Sequence, residues 1–172
     1  DGASRDATLD IVHRYSDKIA RIISEPDKGI YDAMNKGVLA ATGDVVGILN
    51  SDDFYADSSV ISDIVKVMDQ EHSDACYADL VYVDKDDTNR VVRAWKSGSY
   101  TPGFFLRGWM PPHPTFFLKR ALYESYGVYS TALKSSADYE LMLRMLHRHG
   151  AKVAYLPRVI TKMRLGGVSN VS

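Results

Sequence analysis

The stretch DVVGILNSDD, residues 44–53, decides the fold that this sequence predicts. Its apolar run, Val45 to Leu49, is too short for a helix and is apolar on both faces, as a central parallel strand is. Two adjacent acids, Asp52 and Asp53, follow the run directly. Ligands of open α/β sheets bind outside the carboxyl ends of the strands, so we expect a positive group opposite this pair.

Helical and strand-like segments alternate on both sides of this stretch. Before it, the pattern predicts a helix at about 6–16, a strand at 19–23, and an amphipathic helix from Ile30 that ends at Gly43. After it, the pattern predicts a helix that begins at Asp57 or Ser58, a hairpin or longer excursion around 85–89, helices at 120–126 (stopping at Gly127) and 137–149, and a last strand at 152–156. This order predicts a single α/β domain over residues 1–172, in which helices flank a mostly parallel sheet.

The composition limits the classes of partner. The 172 residues carry a net charge of -1, so the chain has no general basic field and nucleic acid is not expected as a partner. The single cysteine, Cys76, excludes an intramolecular disulfide framework, fits a reducing compartment and lies in an apolar stretch typical of a core. No apolar run approaches the about 20 residues that a membrane-spanning helix needs.

The acidic pair has two interpretations. Hard carboxylate oxygens at a strand end suit Mg²⁺ or Mn²⁺, which a protein holds by one or two carboxylates together with substrate phosphates. The alternative is that NSDD, residues 50–53, is a polar turn before the next helix.

Six motifs occur along the chain in a fixed order. They are DGASRDAT (1–8), SEPDKGIYDAMNKGVLAATGD (24–44), LNSDD (49–53), HPTFFLKRALYESYG (113–127), SADYELMLRM (136–145) and LGGVS (165–169). Together they resemble the inverting family-2 glycosyltransferases of GT-A fold, especially bacterial enzymes that build the surface polysaccharides of the cell envelope. The resemblance covers nearly the whole chain.

The resemblance implies a site for a nucleotide-sugar donor. Asp1 matches the aspartate that contacts the nucleotide base, and the loop with Asp27 and Lys28 matches another part of the nucleotide pocket. Asp52 looks like the acid near the ribose, and Asp53 looks like the ligand of Mn²⁺ or Mg²⁺ at the diphosphate. Lys28 has an alternative role as an ordinary solvated side chain.

The resemblance also implies the groups around the acceptor. Asp138 matches the general base, a role that inverting transfer requires because the acceptor hydroxyl must lose a proton. Its position in the first turn of a helix, three residues after Ser135, also fits a capping box. His113 matches a segment that lines the acceptor side, although a histidine between prolines is also typical of a structural hydrogen bond. Arg164, with LGGVS, resembles the segment that closes over the bound donor.

Four aromatic residues have two possible roles. Trp95, Trp109, Phe104 and Phe105 offer faces on which a sugar stacks, and core packing is the alternative that we expect for most of them.

The chain departs from the family pattern at its start. The family begins with a strand and a helix that are absent before Asp1, and Arg5 and Ala7 replace residues of a common turn motif. We therefore expect an N-terminally incomplete GT-A domain, with an exposed edge that a second copy would cover in a homodimer.

The resemblance implies a protein of the cytoplasm, at the inner face of the plasma membrane where lipid-linked acceptors reside. Two other function classes stay open: a non-catalytic GT-A-like module that binds a nucleotide or saccharide, and a nucleotidyltransferase that makes activated sugars. The nucleotidyltransferase is disfavoured because the chain has no glycine-rich, lysine-bearing phosphate loop near its start.

Overall fold

The computed structural model describes residues 1–166 and contains a six-stranded sheet with helices packed on it. The helices are α1 (Thr8–His13), α2 (Ile30–Ala40), α3 (Val60–Glu71), α4 (Arg120–Tyr126) and α5 (Ala137–Met142), which continues as a π-helix over Leu143–Arg148. The strands are β1 (Val45–Gly47), β2 (Asp53–Tyr55), β3 (Ala75–Val83), β4 (Val91–Trp95), β5 (Phe117–Lys119) and β6 (Val153–Arg164). The predicted α/β class is confirmed.

The sheet is mixed rather than mostly parallel, which corrects the prediction. Its order is β1-β5-β3-β6-β2, with β4 also paired to β3, and β3 with β6 is the one parallel pair among the described strands. The other pairings are antiparallel. β4 pairs antiparallel with β3 because the chain returns directly through a short loop, and the three-residue strands β2 and β5 pair antiparallel with β6 and with β1 and β3. The run at residues 45–49, predicted as a central parallel strand, forms β1 over Val45–Gly47 only. It lies at an end of the strand order, antiparallel to β5, and Leu49 beyond it is exposed, so the prediction of its place in the sheet is wrong.

Most predicted elements form, with shifted ends. The hairpin around 85–89 is confirmed by the β3–β4 pairing, and α4 stops as predicted at Gly127, whose φ of 88° favours glycine. The helix from Ile30 ends at Ala40, because Ala41 is already extended, so its predicted end at Gly43 is wrong. The predicted helix at 137–149 forms in two parts, the second of them a π-helix.

The strand predicted at 19–23 is absent from the described structure. This segment has no neighbouring strand to complete a hydrogen-bonded ladder. Its contacts are local: the amino group of Asp1 donates to the Ile23 carbonyl at 2.9 Å, and the N–H of Glu25 donates to the Asp1 carbonyl at 3.1 Å. Apolar propensity alone does not make a strand when the partner is missing.

Two hydrophobic clusters hold the helices on the sheet. One joins α2, α4 and α5 to β3, and the other packs α3 against β3 and β6. Cys76 is fully buried in the second cluster, as predicted, and burial raises the pKa of its thiol to about 12, so the thiol is not a nucleophile at neutral pH. No helix in the described part of the chain is long and apolar enough to cross a membrane.

Candidate functional site

A cleft of 750 Å³ opens between α2, the β3–β4 hairpin and the start of α5. Asp138 and His113 both line it. These two residues are far apart in the sequence, and both were predicted to lie on the acceptor side. Asn50, which holds Asp53, lines it as well. Its other walls are mainly apolar and aromatic: Ile30, Tyr31, Met34, Leu80, Tyr82, Trp95, Met110, Pro112, Pro114 and Met163.

Asp53 is buried with one oxygen unpaired. It is the first residue of β2, only 6% exposed, and its Oδ2 accepts a hydrogen bond of 3.0 Å from the Asn50 amide. Its Oδ1 has no hydrogen-bond partner among the described residues. Burial raises the pKa of Asp53, and the neighbouring Asp52 adds to this, whereas Asn50 and Arg164 act in the opposite direction. A buried carboxylate with a free oxygen is unfavourable until a cation or a proton reaches it.

The donor set around Asp53 fits a hard divalent cation. Within residues 1–166, no group of three or more His, Cys, Asp or Glu side chains is arranged to hold a metal. The chain would therefore supply one carboxylate, from Asp53, or two with Asp52, which is half-buried. Mg²⁺ and Mn²⁺ suit such a site because substrate phosphates and water provide their remaining oxygen ligands.

Arg164 brings a positive charge to the acidic pair. The antiparallel pairing of β2 with β6 places the end of β6 beside Asp52, whose carbonyl accepts a hydrogen bond of 3.1 Å from the Arg164 guanidinium. The same guanidinium lies over the ring of Phe54, 4.8 Å from its centroid. The rest of the predicted closing segment, from Gly167 onward, lies outside the described residues.

Asp138 is not part of a capping box. The N-cap of α5 is Ser136, its side chain makes no capping hydrogen bond, and the predicted pair with Ser135 is absent. Instead, the carboxylate accepts a hydrogen bond of 3.1 Å from the hydroxyl of Tyr31. That hydroxyl also accepts one of 3.0 Å from the Ser136 N–H. The half-buried Asp138 therefore faces the cleft with one oxygen engaged by a side chain.

His113 lies in a buried hydrogen-bond network. Its Nε2 is 2.8 Å from the hydroxyl of Tyr129, whose backbone is held by two hydrogen bonds of 2.9 Å with the Asn35 side chain. Burial lowers the pKa of His113 and the nearby Asp138 partly opposes this, so the imidazole is neutral at pH 7. The structural role and the position on the cleft wall therefore occur together.

Asp1 and Asp27 come together at a second cleft, of 180 Å³. The carboxylate of Asp1 accepts hydrogen bonds from Ser4 and Ser24, and that of Asp27 accepts one of 2.9 Å from the Gly29 N–H. Gly2 packs so closely on Asp27 that an added Cβ would overlap the carboxylate. Both clefts are lined in part by α2, but by different residues of it, and they share no lining residue.

Lys28 is the least engaged of the predicted donor-site residues. It is exposed and does not line either of these two clefts. Its backbone N–H donates to the Asp32 carboxylate at 2.9 Å, which fixes the start of α2.

Several residues at the site escaped the sequence analysis. Tyr31, Asn50 and Tyr129 each hold a predicted site residue, and only Asn50 is close to its partner in sequence. Tyr82, also not predicted, lines the larger cleft together with Trp95, one of the four aromatic residues for which two roles were open. By contrast, Trp109 packs edge-on to Phe104 and Phe105 and donates its indole N–H to the Ser97 carbonyl, as core packing predicts.

Comparisons with known proteins agree with this architecture. The family model described as glycosyl transferase family 2 matches residues 1–135. A PGL/p-HBAD biosynthesis glycosyltransferase of Mycobacterium tuberculosis (strain ATCC 25618 / H37Rv) is 27% identical over 175 residues, which cover 99% of this chain and 66% of that protein. An uncharacterized glycosyltransferase of the same strain is 28% identical over 145 residues, covering 84% of this chain and 54% of the relative. The chain thus spans two thirds or less of these relatives.

Solved structures share the fold. S. aureus TarS 1-349 in complex with UDP-GlcNAc superposes with a TM-score of 0.77 at 21% identity, over 95% of this chain and 48% of TarS. The mannosyltransferase PcManGT from Pyrobaculum calidifontis, in complex with GDP-Man and Mn²⁺, gives 0.68 at 18% identity, over 99% of this chain and 48% of that one. At these identities the likeness establishes the fold alone.

Proposed function

The chain belongs to glycosyl transferase family 2, and from this membership we propose that it transfers a sugar from a nucleoside-diphosphate sugar to a saccharide or lipid-linked saccharide, with inversion. One observation carries the proposal. The Asp138 carboxylate lines the larger cleft, and so does Asn50, whose amide holds the buried Asp53. The other oxygen of Asp53 has no hydrogen-bond partner among the described residues. Holding a metal-diphosphate complex and removing a proton are the two tasks that this transfer requires.

Asp138 is the proposed general base. The new bond forms between an acceptor hydroxyl oxygen and the anomeric carbon, while the bond from that carbon to the diphosphate oxygen breaks on the opposite face. The proton of the hydroxyl passes to the Asp138 carboxylate. His113 is neutral and lines the same cleft, so it serves the acceptor side as a hydrogen-bonding wall rather than as a charge.

The donor side is assigned to the acidic pair and its neighbours. Asp53 would hold Mn²⁺ or Mg²⁺, Asp52 would lie beside the ribose, and Arg164 would approach the diphosphate from β6. When bound, the metal neutralises charge that develops on the leaving diphosphate. Asp1 and Asp27, with Lys28 near them in the chain, are proposed to hold the nucleoside. The Mn²⁺ complex of the mannosyltransferase neighbour supports the choice of metal by analogy of fold.

We also propose a cytoplasmic setting beside the inner face of the plasma membrane, where lipid-linked acceptors of the cell envelope are available. The free, buried Cys76 agrees with a reducing compartment. A homodimer is proposed because β1 pairs only with β5 among the described strands, which leaves one edge open. Light scattering over a range of concentrations tests the dimer.

A thermal-shift panel with UDP, GDP, CDP and dTDP, each with and without Mn²⁺, tests the function. A ligand that binds only the folded chain raises the melting temperature. We expect a shift with one nucleotide that requires Mn²⁺ and disappears in Asp53→Asn. The matched control is Asp86→Asn, which changes an exposed carboxylate in the β3–β4 loop.

Turnover is then measured as release of nucleoside diphosphate from UDP-GlcNAc and GDP-mannose with Mn²⁺. Metal-dependent binding with turnover supports a transferase. Binding without turnover would point to the non-catalytic module. No binding of any of the four nucleotides would contradict the proposed site.

A further inference from the structure

We propose that Tyr31 is a positioning residue for Asp138: its hydroxyl fixes one carboxylate oxygen and leaves the other to take the acceptor proton. This inference rests on the proposed function, because it assigns a partner to the proposed base. It starts from two contacts of the same hydroxyl, 3.0 Å from the Ser136 N–H and 3.1 Å from Oδ1 of Asp138.

The direction of the two hydrogen bonds follows from their donors. A backbone N–H only donates, so the hydroxyl of Tyr31 accepts from Ser136. A phenol has a single hydrogen, and that hydrogen is then available for Oδ1 of Asp138. Burial raises the pKa of Tyr31, and the nearby carboxylate raises it further, so the hydroxyl keeps its proton at neutral pH. Oδ2 of Asp138 is left for another proton donor.

The start of α5 needs such a partner. Ser136 has a φ of 83°, a left-handed conformation that is unfavourable for a non-glycine residue, and no side chain caps the helix. An aspartate in the first turn ordinarily turns back toward the free N–H groups of its own helix. Within residues 1–166, Tyr31 is instead the side chain that donates to Asp138. The hydroxyl therefore replaces a cap and turns the carboxylate toward the cleft.

Tyr31 is itself held firmly. It lies in the first turn of α2, and its ring stacks on that of Tyr129 with centroids 6.0 Å apart and an interplanar angle of 17°. Tyr129 is fixed in turn by the paired hydrogen bonds of its backbone with Asn35. Removing the hydroxyl while keeping the ring should leave this packing in place. The contacts that are lost are then the two of the hydroxyl, with the Ser136 N–H and with the Asp138 carboxylate, both at the start of α5.

The kinetic test compares Tyr31→Phe with Tyr139→Phe. Tyr139 lies on α5 next to Asp138, and its hydroxyl donates to the Phe105 carbonyl at 2.8 Å rather than to Asp138. The probe is release of nucleoside diphosphate from UDP-GlcNAc or GDP-mannose with Mn²⁺, which needs no acceptor because water takes its place. We expect Tyr31→Phe to lower kcat about tenfold or more with a donor KM within about twofold of wild type. Tyr139→Phe should keep kcat and lose only thermal stability.

A spectroscopic test addresses the contact without activity. In protein labelled with ¹³C at Cζ of tyrosine, the Tyr31 signal should move in Asp138→Asn, and the pKa of its phenol should fall because a neighbouring negative charge is lost. The Tyr139 signal should stay in place.

The outcomes separate the two hypotheses. Wild-type turnover with an unchanged kcat in Tyr31→Phe, or a Tyr31 signal unaffected by Asp138→Asn, overturns the positioning role alone. A wild-type chain that releases no diphosphate from any donor contradicts the proposed function, while the labelled spectra still decide whether the contact exists.

Discussion

Replacing Asp53 by Asn should stabilise the chain in the absence of ligand and abolish its metal-dependent nucleotide binding. Asn keeps the shape of the side chain, and its carbonyl can still accept from Asn50, as Oδ2 of Asp53 does at 3.0 Å. What disappears is a negative charge on a 6% exposed group, one oxygen of which has no hydrogen-bond partner in the part of the chain that the structure describes. The amide that replaces this oxygen is still unpaired, but a neutral group is less costly to bury than a charged one.

The magnitude follows from the burial. An unsatisfied buried polar group costs about 1–3 kcal/mol, and more when charged, so exchanging the charge for an unpaired amide should gain on the order of 1 kcal/mol. For a chain of this length, each kcal/mol corresponds to about 2–4 °C in Tm. We therefore expect the variant to melt a few degrees above wild type at pH 7 without ligand.

The pH dependence gives the sign independently. Burial raises the folded-state pKa of Asp53 above that of the unfolded chain, about 3.9. The wild type therefore loses stability as pH rises from the unfolded-state value to the folded-state value, and the loss is complete above both. The advantage of Asp53→Asn should therefore be larger at pH 7 than at acidic pH, and it should vanish below the unfolded-state pKa of about 3.9.

The assay is a pair of melting curves, at pH 7 and at pH 4, each without ligand and with the nucleotide and Mn²⁺. Asp86→Asn serves as the control, because an exposed loop carboxylate should change neither quantity. A variant that is less stable than wild type at pH 7, or that keeps the Mn²⁺-dependent shift, would refute the reasoning about the unpaired oxygen.

Three further predictions concern other groups at the two clefts. Asp138→Asn should lower kcat for diphosphate release about 100-fold or more, because a general base contributes a factor of this size. The Mn²⁺-dependent nucleotide shift should stay intact, and its loss would contradict the role of Asp138 as the base. The lowered folded-state pKa of His113 means that the unfolded chain takes up its proton first, so wild-type stability should fall as pH drops below about 6.5, and His113→Gln should flatten that part of the pH–Tm curve. Gly2→Ala should displace Asp27 and weaken nucleotide binding severalfold by calorimetry with little change in Tm, whereas unchanged affinity would place the nucleoside elsewhere.

Local signals in the sequence were reliable where the physics is local. Gly127 ends α4 because its left-handed φ suits glycine, and the loop at 85–89 returns the chain from β3 to β4 because both flanking runs have strand-forming residues and a polar turn between them. The parallel sheet was wrong because β2 and β5, with three residues each, are too short to carry a period. The run at 19–23 had the propensity of a strand but no neighbour for its ladder.

Local signals in the sequence pointed to the acids of the candidate site but not to the residues that hold them. Asp52 and Asp53 were recognisable because they follow an apolar run, and Asp138 because it occurs in a motif. The residues that hold them were not, since Tyr31 is separated from Asp138 by 107 positions and Asn35 from Tyr129 by 94. Such pairs leave no periodic trace, and only the fold brings them together.

Asp138, which lines the larger cleft, and Asp53, which is bound to the lining residue Asn50, are held in opposite ways, and this difference argues against exchanging their proposed roles. Asp53 is deeply buried and short of hydrogen bonds, so its environment favours an added positive charge. Asp138 is half-buried and lines the cleft, and one of its oxygens is engaged by the neutral phenol of Tyr31, so its environment does not require a cation. A metal bound at Asp138 would have to compete with the Tyr31 hydroxyl. An acceptor hydroxyl in the cleft would not reach the buried Asp53 to transfer its proton. Burial and hydrogen bonding therefore support the proposed division of labour between metal ligand and base, in addition to the motifs in which the two residues occur.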